Sequence, residues 1–231
     1  MEILKTFVVL SLVFLGGVIL GYNRKHKYCL EDYIHKSESI VITKEVPSNF
    51  GHRLNYVLRK AYNTDTIHAV YINRYARIAQ REYELYGVPT SIKLAQFILE
   101  GGYNKNNPHG SKLVQEGNNP FGIKYYGNDV PKRIQNWEDL AYTNQFVLAK
   151  DDCIYLCQFI KFKGIWHSFR FHSQFLVGEN SHYTKHITTG DYKDWASALS
   201  KGNYASDKNY ERKLVSLIEK YNLYLLDTIN P

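Results

Sequence analysis

The sequence predicts an α+β fold that is mainly α: a helical body with a small β lobe. Three observations predict it. Apolar residues recur at spacings of three and four from about His68 to Tyr86. A nearly all-apolar stretch from Ile92 to Leu99 then closes on Glu100 and two glycines. From about Ile123 to Phe162 the period changes. Tyr125, Val130, Val147, Ile154, Tyr155, Phe159 and Phe162 there suggest short strands with turns at Gly127-Asn128 and Asp151-Asp152.

Residues 1–27 read as a targeting or anchoring segment, outside the fold. Lys5 precedes an almost unbroken apolar run, Phe7 to Tyr22. That run is short for a spanning helix of about twenty residues, and it suits the apolar region of a secretory signal. No alanine-x-alanine cleavage site follows it, and Cys29 lacks the small preceding residues of a lipoprotein box. An uncleaved membrane anchor is the expectation, with a cleaved signal peptide as the alternative. Arg24, Lys25 and Lys27 just beyond the run favour the cytoplasm for that side, which pulls against an exported body.

Residues 28–66 read as linker, because Ser37, Ser39, Pro47, Ser48, Asn49 and Gly51 break any periodicity. The globular domain is then 67–231. In its first helix, about His68 to Tyr86, Ile72, Ala76, Ala79, Tyr83 and Tyr86 share a face. Gly87 stops that helix, and Pro89-Thr90-Ser91 opens the next with Thr90 or Ser91 as cap. Later helices are expected at about 166–177, 192–200 and 207–223.

Composition bounds the partners. Hydrophobic residues make up 44% of the 231, enough for one real core. Twenty tyrosines and three tryptophans can pack that core or stack on sugar rings. A net charge of +7 and a pI near 9.1 favour an anionic partner. The lysines are scattered and no nucleic-acid module accompanies them, so no nucleic acid is expected. The cysteines Cys29, Cys153 and Cys157 make no disulfide framework and read as small hydrophobes. His182 and His186 are spaced like ligands on one helix face but lack a third, so no metal site is expected.

Glu100 carries the chemistry. Its apolar helix and the negative end of the helix dipole both favour the protonated form. A carboxyl kept protonated can give its proton to a leaving-group oxygen, as a glycosidase general acid must. The alternative is a terminal carboxylate that turns to solvent or pairs with a lysine. Some twenty residues on, Gly117-Asn118-Asn119-Pro120-Phe121-Gly122-Ile123-Lys124 marks a tight loop, which Phe121 and Ile123 would plug into a core.

Ala95-Gln-Phe-Ile-Leu-Glu100-Gly-Gly-Tyr and Asn118-Asn-Pro-Phe-Gly-Ile-Lys124 together resemble the glucosaminidase domain of glycoside hydrolase family 73. Ser168-Phe-Arg-Phe-His-Ser-Gln-Phe-Leu176 looks like that family's serine-tyrosine-x-aspartate-histidine-serine-x-phenylalanine-leucine helix. Asp191-Tyr-Lys-Asp-Trp-Ala196, with Gly202-Asn-Tyr-Ala-Ser206 and Tyr210, looks like its later segments. Four motifs in order, from about Tyr71 to Asp227, make the resemblance specific. It implies a lysozyme-like fold and a peptidoglycan hydrolase.

The resemblance also implies a second carboxylate in the β lobe. Asp151 and Asp152 occupy the family's acidic run, although Ile160 and Phe162 replace the arginine and tyrosine that follow it. Glu138 is the next candidate; Asp129 and Asp139 are further ones. Some members of the family use the substrate's own N-acetyl group instead. Asn118, Phe121, Tyr204 and Tyr210 are the expected sugar contacts: an amide both donates and accepts, and a tyrosine ring stacks while its hydroxyl bonds. Phe121 has the alternative of pinning its loop to the core.

The expected activity is endo-β-N-acetylglucosaminidase, cutting the β-1,4 bond after N-acetylglucosamine in peptidoglycan glycan strands, with Glu100 as general acid and no cofactor. A muramidase or lytic transglycosylase on the same fold, or a non-catalytic wall-binding protein, are the alternatives. The protein is expected to be exported and monomeric. It would be held at the membrane facing the periplasm or wall, or secreted if cleaved.

Overall fold

Helix α1 runs from Ser48 to Thr64, inside the stretch read above as linker. Phe50, Leu54, Val57 and Ala61 recur every three or four residues along it, and all four are buried. Ser48, Asn49 and Gly51 hid that stripe because they look like breakers. At a helix start they cost little, since the first turn's N–H groups have no intrahelical partner in any case. The computed structural model describes residues 48–125, 134, 137–150, 156–178 and 181–227. From Asn49 onward the chain is one compact unit.

Asp65 caps the next helix, α2 (Thr66–Tyr86), by accepting from the backbone N–H groups of Ile67 and His68 at 3.0 and 3.2 Å. Its inner face is His68, Ala69, Ile72, Tyr75, Ala76 and Ala79, and Gly87 closes it at φ 72°. Helix α3 (Thr90–Gly101) is buried continuously from Thr90 to Ile98. Neither Thr90 nor Ser91 caps it, contrary to expectation; Pro89 holds the cap position without a side-chain bond. The cap comes from the far end of the chain. Asp227 accepts from Ser91 N at 2.7 Å and from Ser91 Oγ at 2.5 Å.

The β lobe begins after the short helix α4 (Lys112–Gly117). A one-turn helix α5 (Trp137–Leu140) leads into β1 (Ala141–Lys150), which pairs antiparallel with β2 (Leu156–Phe162) in the register Val147 to Phe159. The loop ending at Tyr125 docks on β2: Tyr125 N donates to Gln158 O and Ile160 N to Ile123 O. The turns expected at Gly127-Asn128 and Asp151-Asp152 lie outside the described residues, as do Val130, Cys153, Ile154 and Tyr155.

Three helices complete the body: α6 (Ile165–Val177), α7 (Tyr192–Lys201) and α8 (Tyr210–Tyr221), followed by a 3₁₀ turn at Leu223–Leu226. Helix α3 is the central element, packing against α2, α7, α8 and that last turn. His182 and His186 do not line one α-helical face. His186 ends a 3₁₀ turn, Thr184–His186, and His182 precedes it. No helix among the described residues is long and apolar enough to cross a membrane, and Phe7 to Tyr22 lies outside them.

Candidate active site

Helix α3 has a polar line that the sequence reading missed. Lys93, Gln96 and Glu100 stand at i, i+3 and i+7, hence on one face. Lys93 and Gln96 are fully buried, and Glu100 is half-buried at the helix end. Lys93 Nζ donates to Phe169 O at 2.8 Å and to His172 Nδ1 at 2.9 Å, both on α6. Burial pulls the Lys93 ammonium down to about 7; the Glu82 carboxylate opposes this and the Arg170 guanidinium adds to it. Burial, then the Lys93 charge, holds His172 well below its ordinary value. With Nδ1 accepting, the proton of the neutral imidazole sits on Nε2.

One turn on, Gln96 Nε2 donates to the Tyr210 hydroxyl at 2.9 Å. That hydroxyl is also hydrogen-bonded to Glu100. Burial first, then the negative charge of Glu100, pushes the Tyr210 and Tyr204 phenols well above their ordinary range. Both phenols are therefore neutral; Tyr210 bonds the glutamate, and Tyr204 lies close enough to feel its charge. The two rings stack at 5.7 Å with an 18° interplanar angle.

The helix stops beneath this cluster on two glycines. A Cβ at Gly101 would lie 2.4 Å from the Tyr103 ring, and Gly102 turns left-handed at φ 68°. The opposite wall is the loop 118–124. Asn119, fully buried, staples it to β2 by donating to Ile123 O at 2.8 Å and Ile160 O at 2.9 Å, while accepting from Ile123 N. Tyr204 donates to Phe121 O at 2.9 Å. Gly122 follows at φ 61°, and a Cβ there would lie 3.9 Å from Glu100 Oε2. The loop backbone therefore faces the carboxylate, and only glycine adopts that φ without strain.

The expected sugar contacts differ in exposure. Phe121 is 1% exposed and stacks on His172 at 4.0 Å, so it pins the loop as the alternative reading had it. Tyr210 is 2% exposed, and its hydroxyl accepts from the Gln96 amide. Asn118 sits left-handed at φ 50°, and its amide N–H donates to Phe162 O at 3.1 Å. Tyr204 is half-buried, with its hydroxyl committed to the loop. Glu138 is exposed on α5, while Asp151 and Asp152, with Asp129, lie outside the described residues. Gln96, Asn119, Lys93 and His172 were missed as site-builders. Their signal was present: polar residues recurring inside otherwise apolar helices, and a doubled asparagine where one would end the helix.

A buried central helix ending on a glutamate, with a glycine loop and a small sheet beside it, defines a lysozyme-like fold. Solved structures share it. The catalytic domain of the autolysin Auto from Listeria monocytogenes aligns over 84% of this chain and 97% of its own, with a TM-score of 0.51 and 23% identity. A peptidoglycan hydrolase from Sphingomonas sp. A1 aligns over 70% and 96%, also with a TM-score of 0.51 and 23% identity. At such identities the likeness is one of fold. Residues 76–223 match the glucosaminidase family, described as mannosyl-glycoprotein endo-beta-N-acetylglucosaminidase, and the chain belongs to that family. It is 32% identical over 168 residues to exo-glucosaminidase LytG of Bacillus subtilis, covering 70% of this chain and 54% of that one. It is 29% identical over 174 residues to an autolysin of Enterococcus faecalis, covering 68% and 21%. The chain thus spans about half of the first relative's length and about a fifth of the second's.

Proposed function

We propose that the chain is a peptidoglycan hydrolase that cleaves the β-1,4 bond on the reducing side of N-acetylglucosamine, with Glu100 as the proton donor. The observation that carries this reading is the placement of Glu100: half-buried at the end of the central helix, met by Tyr210, and faced by the Gly122 backbone. The names of its relatives, a glucosaminidase and an autolysin, agree with it.

In this mechanism the Glu100 carboxyl protonates the glycosidic oxygen as the C1–O4 bond breaks. Positive charge develops on the sugar ring. A second group then supports C1: a β-lobe carboxylate, for which Asp151 or Asp152 stands in the family's acidic run, or the substrate's acetamido oxygen. Water finally adds to C1 and its proton passes to a carboxylate. A retaining pair needs about 5–5.5 Å between carboxyls and an inverting pair about 6.5–9.5 Å. The wall is the site of action, and the apolar run Phe7 to Tyr22 serves as anchor or signal.

The likeness to an exo-glucosaminidase favours a second reading, in which the enzyme trims strand ends. Product analysis separates the two. Endo-cleavage gives long fragments with reducing-end N-acetylglucosamine early in digestion; exo-cleavage gives only small units throughout. Glu100→Gln keeps the shape and removes the transferable proton, so wall degradation should fall by roughly 10²–10⁴-fold. Degradation by that variant at the wild-type rate would refute the assignment, and reducing-end N-acetylmuramic acid or anhydro products would refute the bond specificity.

A further inference from the structure

Gln96 is fully buried, yet only half of its amide is used. Nε2 donates to Tyr210, while Oε1 has no hydrogen-bond partner in the structure. A buried carbonyl left without a donor is costly, and an apolar side chain of the same size would avoid that cost. The amide sits next to a hydroxyl that is itself bonded to Glu100. A hydroxyl both donates and accepts, and its proton turns to suit its neighbours. While Gln96 donates to the Tyr210 oxygen, the Tyr210 proton is left for Glu100, which suits the carboxylate. If the amide turned by half a rotation, Oε1 would take the Tyr210 proton. Tyr210 would then offer Glu100 a lone pair, which suits the protonated carboxyl.

We infer that Gln96 is a positioning residue for the reaction: its amide fixes which way the Tyr210 hydroxyl points, and so whether Glu100 meets a donor or an acceptor. The inference rests on Glu100 being the general acid. Donating a proton takes that residue from carboxyl to carboxylate, and the Gln96–Tyr210 pair has a matching arrangement for each. Titratable groups near Glu100 come from several elements. Tyr210 faces it from α8, and Tyr204 faces it from the turn before α8, with Tyr183 behind. Lys93 lies two turns back on α3, paired with His172 of α6. From α2, Tyr71 and Tyr75 pack on Phe97, and His68 bonds Tyr103 O. Asp227 lies at the opposite end of α3.

The test is the pH dependence of kcat/KM on isolated cell walls, measured with the full chain. A general acid must be protonated, so the basic limb reports Glu100. Gln96→Met keeps the volume and removes the donor that polarises the Tyr210 hydroxyl, so its bond to the carboxylate weakens. The ionised form of Glu100 is then less favoured, and the basic limb should move up by about one pH unit, a tenfold gain in rate on that limb. Tyr210→Phe should move it the same way. The double variant should move it no further than Tyr210→Phe alone, because Gln96 acts only through that hydroxyl. Gln96→Leu, which can neither donate nor accept and adds no charge, gives a second route to the same upward shift if the methionine variant fails to fold. An unmoved limb in folded Gln96 variants, or shifts that add in full, overturns the inference. If Glu100→Gln is inactive while those limbs stay put, the inference alone fails; if Glu100→Gln is active, the acid assignment falls and the inference with it.

Discussion

Lys93 shows at the scale of one residue what a charge buried in this core does. A buried ammonium is costly unless paired, and its two partners here, the Phe169 carbonyl and His172 Nδ1, are neutral. Its lowered value of about 7, against 10.5 for a free lysine, has a stability consequence. Between those two pH values the unfolded chain binds a proton that the folded chain does not, so stability rises with pH across that window. In Lys93→Met this rise between about pH 7 and 10.5 should vanish from the melting temperature. The variant also leaves two buried acceptors without a donor, at about 1–3 kcal/mol each, so its absolute stability is a poorer readout than the slope. A melting temperature that still climbs through that range would show that Lys93 is not the titrating group. The sequence hid this lysine because a stretch like Ile92 to Leu99 reads as apolar on all sides. A single line at i, i+3 and i+7 is visible only when Lys93, Gln96 and Glu100 are taken together.

At the scale of elements, helix periodicity was legible wherever the stripe was long, as in α2, α6 and α7. It failed at α1, where Phe50, Leu54, Val57 and Ala61 form a stripe behind a start rich in turn residues. It failed again at the first turn of α3, because the capping group is 136 residues away in sequence. No local pattern can reveal Asp227 as the partner of Ser91. Of the candidate site, the helix ending on Glu100 and the loop after it were legible because glycines and a lone carboxylate mark them. The hydrogen-bond partners of Tyr204, Tyr210 and Asn118 were not, since only the packing decides which groups those side chains meet. The remote cap carries its own prediction. Burial raises the Asp227 carboxyl to about 7, opposed by its two bonds from Ser91. Its folded value exceeds the ordinary 3.8, so it contributes stability below about pH 4 that is lost as pH rises toward 7. Asp227→Asn still accepts from Ser91 N and can donate to Ser91 Oγ, but it does not titrate. Melting temperatures of this variant should stay level from pH 4 to 7 where those of the parent fall, and parallel curves for the two proteins would refute the assignment.

At the scale of the whole molecule, the family match and the folded unit begin at different residues. The match starts at residue 76, inside α2, whereas the core already takes in Phe50. A truncated chain beginning at Ser48 keeps α1 and discards the N-terminal apolar run. It should fold, stay soluble and degrade isolated walls at the rate of the full chain, since the groups described around Glu100 are supplied by α3, the loop 118–124, Tyr204 and Tyr210. A chain beginning at Thr66 loses four buried side chains from α1. Burying a large apolar side chain is worth about 1.5–3 kcal/mol, and a domain's whole stability is only about 5–15 kcal/mol. The shorter chain also exposes the α1-facing apolar surface to water, so it should aggregate or melt far below the longer one. Circular dichroism melts and wall-clearing rates on the two truncations check both halves of the prediction. If the Thr66 chain is as stable as the Ser48 chain, α1 is an appendage. If the Ser48 chain is folded but inactive on walls that the full chain clears, residues 1–47 contribute to catalysis itself, and their role as anchor or signal alone is wrong.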